Sequence, residues 1–334
     1  MRLSVIITAY TKRPFIKEAV LSALNQTLNR DRYEVIVVKN YEDSDIDQWL
    51  NSKGLKNVTI HDTSLGGKIR VGLEESRGEI ISLLEDDDQF LPNKLMQVNE
   101  IFQDKTVVYL RHNYLPFYNS TKNIGNFIPS IGPTYIWTSD QLLELKGLNN
   151  ALKMGISFNN SCISVRRELF EKFSKKLVGH SVAVDYAIFF FALISSMGLD
   201  HKFVLSDIPL TLYRLSLNKE KQTIEELFNN RLPDALRTLH MLKTQVSDVN
   251  LMHYLDQAYL RSQLILRILQ KDTQINPYVT LSTCIRLLKK PLFRDFLSSR
   301  EPNYKFIAVG LASILARKYV QKSLFRRWEK LYKN

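Results

Sequence analysis

Four consecutive acids, Glu85-Asp86-Asp87-Asp88, follow the apolar run 79–84 (EIISLL). Carboxylates this close repel one another by several kcal/mol when dry and unneutralised. The run is therefore either wet surface or the seat of a cation. Oxygen donors, with six scattered histidines and no CxxC pair, favour Mg²⁺ or Mn²⁺ over zinc. A further acid, Asp185, stands directly before the apolar run 186–194. Aspartate at the start of an apolar helix is a favoured N-cap, and the same carboxylate can act as a general base. Lys68 and Arg70 lie in Gly66-Gly67-Lys68-Ile69-Arg70, where basic side chains at a helix start either meet phosphate or are solvated. The full GxxxxGK[ST] pattern is missing, which excludes a P-loop.

These residues need a scaffold, and the first 110 residues supply an alternating one. Leu3–Thr8, Glu34–Val38, Val58–His61 and Glu79–Leu84 read as strands, the first two with the unbroken apolar character of strands buried on both faces. Helices are expected between them: one capped by Thr11 with Pro14 in its first turn, one opening at Asp43/Ser44, one containing Gly72–Ser76 and one starting at Pro92. Thr106–Arg111 returns as a strand. This alternation predicts an α/β fold with a mostly parallel sheet, whose ligands bind outside the carboxyl ends of the strands. Residues 113–217 are richer in loops but hold a strand-like Ser161–Val165 and an apolar helix over 185–197. The hydrophilic stretch Asn218–Glu226 reads as a boundary, and helices are expected beyond it over 231–245, 251–271, 277–289 and 303–332.

Several motifs, kept in order, carry a resemblance: SVIITAY (4–10), LSALNQTL (21–28), YEVIVV (33–38), GLEESRGEIISLLEDDDQFLPNKL (72–95), FNNSCISVRRELFEKF (158–173), VDYAIFFFALISSMG (184–198) and IPLTLYR (208–214). Together the first 215 or so residues resemble the glycosyltransferase family 2 enzymes with the GT-A fold. That resemblance implies a nucleotide-sugar-binding half at 1–110, an acceptor-binding half at 111–217, and a helical, basic C-terminal region at 218–334 without a counterpart. It implies an inverting, Mn²⁺- or Mg²⁺-dependent transfer of one sugar from a nucleotide-sugar donor to an acceptor hydroxyl on a glycan, lipid-linked or protein acceptor. By the same resemblance Asp87 is the metal ligand on the donor diphosphate, Asp88 assists it, and Asp86 lies nearer the ribose. Glu85 occupies a position that is often aspartate. Thr8, Ala9 and Tyr10 stand where the family holds the nucleotide base, Lys68 and Arg70 where it contacts base or diphosphate, and Asp185 where it places the catalytic base.

The chain departs from the pattern at three places. Lys39 replaces an aspartate that accepts a hydrogen bond from the base, and lysine cannot accept one, so base recognition passes to Asn40 or changes. Val184 stands at a second position where the family usually has a functional residue. At the third, some members carry a histidine that meets phosphate or metal; here the residue is Ser216, and Arg214 is the remaining candidate for that role. These departures motivate an alternative reading, a non-catalytic nucleotide-sugar-binding protein on a degenerate transferase scaffold. His180 reads as a loop residue. Arg327-Trp328 lacks the glutamine that would make QxxRW, because Leu324 stands there, which argues for single-sugar transfer over polymer extension.

The 334 residues carry a net charge of +12, and residues 286–333 hold thirteen Lys/Arg against three acids. The body is close to neutral and the tail is basic. Residues 306–333 combine apolar positions at near-helical spacing with basic ones, which reads either as peripheral contact with an anionic membrane surface or as a helix packed on the rest of the chain. No nucleic-acid-binding motif is present. No run reaches the ~20 apolar residues that span a bilayer, and no secretory leader is visible. The expectation is a cytoplasmic protein, with a peripheral position at the inner face of the membrane as an extension of it. Two cysteines, Cys162 and Cys284, exclude a disulfide framework.

Overall fold

The strand β1 (Leu3–Ala9) is buried at all seven positions, as a β-branched and leucine-rich strand must be when helices cover both faces of its sheet. In a computed structural model, which describes residues 2–118, 133–215, 224–269, 280–283, 311–313 and 320, it is followed by α1 (Ile16–Leu24), β2 (Tyr33–Lys39), α2 (Ser44–Ser52), β3 (Lys56–Thr59), α3 (Leu65–Glu75), β4 (Ile80–Glu85), β5 (Gln89–Phe90) and α4 (Lys94–Ile101). Next come β6 (Val107–Tyr118), β7 (Thr134–Thr138), α5 (Ser139–Leu143), α6 (Leu145–Lys153), β8 (Ile163–Arg166), α7 (Arg167–Glu171), α8 (Val184–Ser195), β9 (Lys202–Leu215), α9 (Ile224–Lys243) and α10 (Val249–Leu269).

The nine strands form one sheet in the order β3-β2-β1-β4-β8-β6-β9-β5, with β7 also paired to β9. The half built from β3, β2, β1 and β4 is parallel. Past β4 the sheet turns mixed: β8 runs antiparallel to both β4 and β6, β9 is parallel to β6, and β5 and β7 are antiparallel to β9. The α/β architecture expected from the alternation is therefore present, wholly parallel in the first half of the sheet and mixed in the second. Leu3, Val5, Ile7, Val35, Val37, Ile80 and Leu84 meet Ala19, Val20, Leu95 and Val98 of the flanking helices in the main core. The run behind Asp185 forms α8, which buries Ala187 through Leu193 on every side. Its Phe191 stacks on Phe173 and its Phe189 meets Tyr109 and Phe203, so this helix is apolar because it lies within the protein.

Local signals succeed and fail for identifiable reasons. Asp43 caps α2 by accepting the Ile46 N–H at 3.2 Å, as its sequence position predicts. Thr11 does not cap α1: it sits at φ +58°, and α1 begins at Ile16 without a side-chain cap. The strand expected at Val58–His61 is Lys56–Thr59, held in register against Ile36–Lys39. The helix expected from Pro92 begins at Lys94, and the strand expected over Ser161–Val165 runs Ile163–Arg166 after a short 3₁₀ turn at Asn160–Cys162.

The chain divides into two compact units, Met1–Leu142 with Gly155–Leu217, and Leu143–Met154 with Asn218–Asn334. Described parts of the second are the helices α6, α9 and α10, which join by packing and by the Lys243–Asp256 ion pair at 2.6 Å. No helix of the described residues is long and apolar enough to cross a membrane. The basic stretch 306–333 and the helices expected over 277–289 and 303–332 lie almost entirely outside the described residues.

Candidate active site

Parallel pairing brings the carboxyl ends of three strands to one edge. Thr8 lies opposite both Val38 and Glu85, and Ala9 opposite Lys39. Directly beyond that edge the chain turns, exposing backbone N–H groups and short polar side chains. The Tyr10 N–H donates to Asp86 Oδ2 at 3.2 Å, and the Thr11 N–H donates to Asn40 Oδ1 at 3.2 Å. Thr8, Ala9, Tyr10, Asn40 and Asp86 thus come together as the sequence implies. Tyr10 is 46% exposed and carries its ring 5.0 Å from the Lys68 ammonium.

Arg13 joins this group unannounced by any sequence pattern. Its Nη1 stands 3.2 Å from Asp86 Oδ1 and 2.9 Å from Asp87 Oδ2, so one guanidinium bridges two carboxylates. Burial and the charges of Asp87 and Glu85 push the Asp86 carboxyl up to about 7, against the pull of Arg13 and the Tyr10 N–H. The Asp87 side chain keeps 28% of its surface while that of Asp86 keeps 2%, which makes Asp87 the one an incoming ion can reach. A cation between two hard oxygen donors is the environment that Mg²⁺ or Mn²⁺ requires, with water or phosphate completing the shell. Among the described residues no group of three or more His, Cys, Asp or Glu surrounds a common position.

Asp88 belongs to a different network. It is buried, and its Oδ1 accepts the Arg214 N–H at 2.9 Å. Arg214 also donates from Nε to the Asp87 carbonyl at 2.8 Å, pairs with Glu18, and lies 3.9 Å from the Phe15 ring centroid. Arg214, a candidate for phosphate contact, here clamps the acidic turn to β9. Burial and the charges of Glu85 and Asp87 hold the Asp88 carboxyl well above the ordinary aspartate range.

The remaining basic candidates separate. Lys68 is buried in α3 beside Tyr10, donates to the Thr63 carbonyl at 2.8 Å, and burial lowers its pKa to about 8. Arg70 pairs instead with Glu74 one turn along at 2.9 Å. The glycines ahead of them serve packing: a Cβ on Gly66 would lie 1.9 Å from the Leu177 carbonyl oxygen. Lys39 is fully buried and donates to the Tyr41 carbonyl and to Thr59 Oγ1 at 2.7 Å each, with Asp47 at 3.0 Å. It is a fastening between β2, β3 and α2, and it leaves the strand edge to Asn40.

Asp185 is the second residue of α8, behind Ala183 at φ +58° in the cap position. It is therefore not itself the N-cap. Its Oδ1 accepts the Tyr186 N–H at 2.8 Å and its Oδ2 accepts the Asn159 N–H at 2.9 Å. Burial nevertheless raises its pKa. Asn159 reaches this position at φ +72°, a conformation that asparagine tolerates better than most residues. The next residue, Asn160, donates from Nδ2 to Glu85 Oε1 at 2.9 Å. The pair Asn159-Asn160 thus links the acidic strand end to Asp185, and Glu85 feels the Asp185 charge. His180 lies in the loop before α8, its carbonyl accepting the Gly66 N–H at 2.8 Å.

The sheet order, the acidic strand end and the acid at the start of α8 define a GT-A type glycosyltransferase fold. It is shared with S. aureus TarS 1-349 in its complex with UDP-GlcNAc, at a TM-score of 0.64 and 14% identity, covering 99% of this chain and 92% of that one. It is shared as well with the mannosyltransferase PcManGT of Pyrobaculum calidifontis in complex with GDP-Man and Mn²⁺, at a TM-score of 0.51 and 15% identity, over 98% and 82% of the two chains. The family model described as glycosyl transferase family 2 matches residues 4–173, and the chain belongs to that family. An uncharacterized glycosyltransferase of Nostoc sp. is 30% identical over 118 residues, 34% of this chain and 36% of that protein. Another, of Rickettsia bellii, is 26% identical over 146 residues, 41% and 21% of the two. The chain thus spans about a third and about a fifth of the lengths of these curated relatives.

Proposed function

We propose that this glycosyltransferase takes one sugar from a nucleoside-diphosphate sugar and passes it, with inversion, to an acceptor hydroxyl, using Mn²⁺ or Mg²⁺ at Asp87. The observation that carries the reading is the shared guanidinium: Asp86 and Asp87 already hold one cationic group between them. Asp87 would hold the metal, with Asp86 beside it and Asp88 fixing the turn from behind. When bound, the metal supplies charge neutralisation for a departing diphosphate. The family membership, and relatives of the same fold that bind UDP-GlcNAc or GDP-Man with Mn²⁺, support a nucleotide-sugar donor.

Each remaining residue has a task that its own chemistry allows. The Tyr10 N–H fixes Asp86, while the exposed Tyr10 ring offers a face to a nucleotide base, with Thr8 and Ala9 shaping the strand end. Asn40 offers the amide that Lys39 cannot. Lys68 adds positive charge behind Tyr10, and Arg13, displaced from the acids, is free to meet phosphate. Arg70 stays with Glu74 at the margin. Asp185 takes the proton of the attacking hydroxyl; its raised pKa strengthens it as a base, and two N–H donors hold its orientation.

A lipid-linked or protein-linked glycan is the proposed acceptor class, with residues 306–333 as the peripheral membrane contact. A thermal-shift screen of UDP-, GDP-, CDP-, ADP- and dTDP-sugars with and without Mn²⁺ tests the donor reading, because a ligand that binds the folded state raises its melting temperature. A stabilisation by one nucleotide class that appears only with the metal is expected. Uniform silence across the panel would remove the donor assignment.

A further inference from the structure

Lys94, the first residue of α4, is fully buried, and the chemistry described above makes no use of it. Its ammonium makes one hydrogen bond, to the Ser161 carbonyl oxygen at 2.7 Å, and lies 3.4 Å from the Phe90 ring centroid. Among the described residues no carboxylate forms an ion pair with it. Burial lowers its pKa to about 7, against the pull of Cys162 and Asp88. A cation at a helix N-terminus opposes the helix dipole, and a buried one is costlier than an apolar side chain of the same shape. Stability alone does not account for a lysine at this position.

The group that Lys94 grips is a junction. The Ser161 carbonyl also accepts from Thr211 Oγ1 of β9 at 2.8 Å, so both of its lone pairs are used. Ser161 is itself fully buried; its Oγ accepts the Glu85 N–H at 3.0 Å, and its N–H donates to Asn159 Oδ1 at 2.9 Å. One residue thus ties α4, β9 and the end of β4 to the turn before β8. Within that turn Asn159 stands at φ +72°, a backbone state that persists only where its surroundings over-determine it. The turn makes two contacts in the site: the Asn159 N–H to Asp185 Oδ2 and Asn160 Nδ2 to Glu85 Oε1, each at 2.9 Å.

We infer that Lys94 is a positioning residue: by gripping the Ser161 carbonyl it sets the Asn159-Asn160 turn and, through it, the orientation of Asp185 and Glu85. The inference rests on the reading of Asp185 as the base and of the acidic strand end as the donor site. Thr211 alone would satisfy the carbonyl, but a single donor leaves it free to swing about one bond. A second donor from another element fixes its direction, and a charged donor holds more strongly than a neutral one. Lys39, the other fully buried lysine of this half, differs in having Asp47 as its partner. Removing Lys39 strands a carboxylate, whereas removing Lys94 leaves no paired acid behind.

Lys94→Met keeps the length and apolar stem of the side chain and withdraws its donor. Two readouts test it. One is amide-resolved hydrogen–deuterium exchange. The other is Mn²⁺-dependent release of UDP from UDP-GlcNAc and of GDP from GDP-mannose, with water standing in for the acceptor. The Glu85, Asn159 and Ser161 amides should exchange about tenfold faster, with the Val5 and Val37 amides of β1 and β2 unchanged. The unfolding midpoint should stay at or above that of the wild type, since a buried charge is lost. Nucleotide release should fall about ten- to a hundredfold in kcat, with the donor KM within about twofold. Unchanged exchange at the three amides overturns the inference whatever the activity. So does exchange that rises equally in β1 and β2, or a raised KM with kcat intact. If Lys94→Met does not fold, Thr211→Val, which withdraws the other donor from the same carbonyl, is judged by the same readouts. A wild type that releases neither nucleotide sinks the donor reading, and exchange at the three amides then decides the role of Lys94 by itself.

Discussion

The two acidic centres of this protein are built in opposite ways. At the strand end, Asp86 and Asp87 share a guanidinium from a partly exposed side chain, while Asp88 behind them accepts the main-chain N–H of Arg214. At the start of α8, Asp185 is held by two backbone N–H groups, and no cation pairs with it among the described residues. A mobile side chain can be exchanged for another cation, whereas main-chain donors keep a carboxylate oriented while burial raises its proton affinity. The first arrangement suits a group that trades one positive charge for another. The second suits a group that accepts a proton.

The largest effect is expected from removing the exposed acid of the first centre. Asp87→Ala should lower transfer by more than about 10³-fold, since the metal contributes several kcal/mol of charge stabilisation, with the fold intact by circular dichroism. For the second centre, Asp185→Asn should cost about 10²- to 10³-fold in transfer while nucleotide affinity, measured by calorimetry, stays within twofold. A variant that loses both together would erase the distinction between the centres. The pH profile separates them further. Because burial raises the Asp185 pKa, its basic form is lost as pH falls through a value above the ordinary aspartate range near ~3.9. The acid limb of transfer by the wild type should therefore lie above that range, and a limb at or below it would contradict the base assignment.

Two smaller effects sharpen the contrast at the strand edge. Lys39→Met should destabilise the protein by about 2 kcal/mol in urea unfolding, because it leaves Asp47 and two oxygens without their shared donor. Nucleotide affinity should change by less than the stability does, as the Lys39 ammonium is spent on the Tyr41 carbonyl, Thr59 and Asp47. Arg13→Gln should raise the Mn²⁺ affinity of the nucleotide-free protein by about threefold, the scale of a partly exposed ion pair. Unchanged Mn²⁺ affinity in a folded Arg13→Gln would show that the guanidinium does not compete for the acids.

Much of this was readable in the sequence, because apolar periodicity and acid clustering are local. The strands that end just before Tyr10, Asn40 and Asp86, the burial of α8 and the placing of Asp185 at its start all follow from patterns within a dozen residues. What escaped depends on direction and on long-range approach. Arg13 reaches acids 73 and 74 positions away, and Asn159-Asn160 reach Asp185 and Glu85 through a positive φ that no periodicity signals. Lys39 departs from the family pattern, yet its side chain enters the layer between β2, β3 and α2, so the departure marks a fastening. Likewise Asp88 is spelled like Asp87, yet it is buried and meets the main-chain N–H of Arg214, whereas the partly exposed Asp87 meets the Arg13 guanidinium.

The central claim is that Asp87 receives the cation on which the donor diphosphate depends. Calorimetric titration of UDP and GDP into wild-type protein and Asp87→Ala, each with and without Mn²⁺, tests it most directly. Binding of one nucleotide that strengthens at least tenfold with Mn²⁺ in the wild type and does not respond to Mn²⁺ in Asp87→Ala is the expected result. Equal Mn²⁺ enhancement in the two proteins, or binding indifferent to the metal in both, would contradict it.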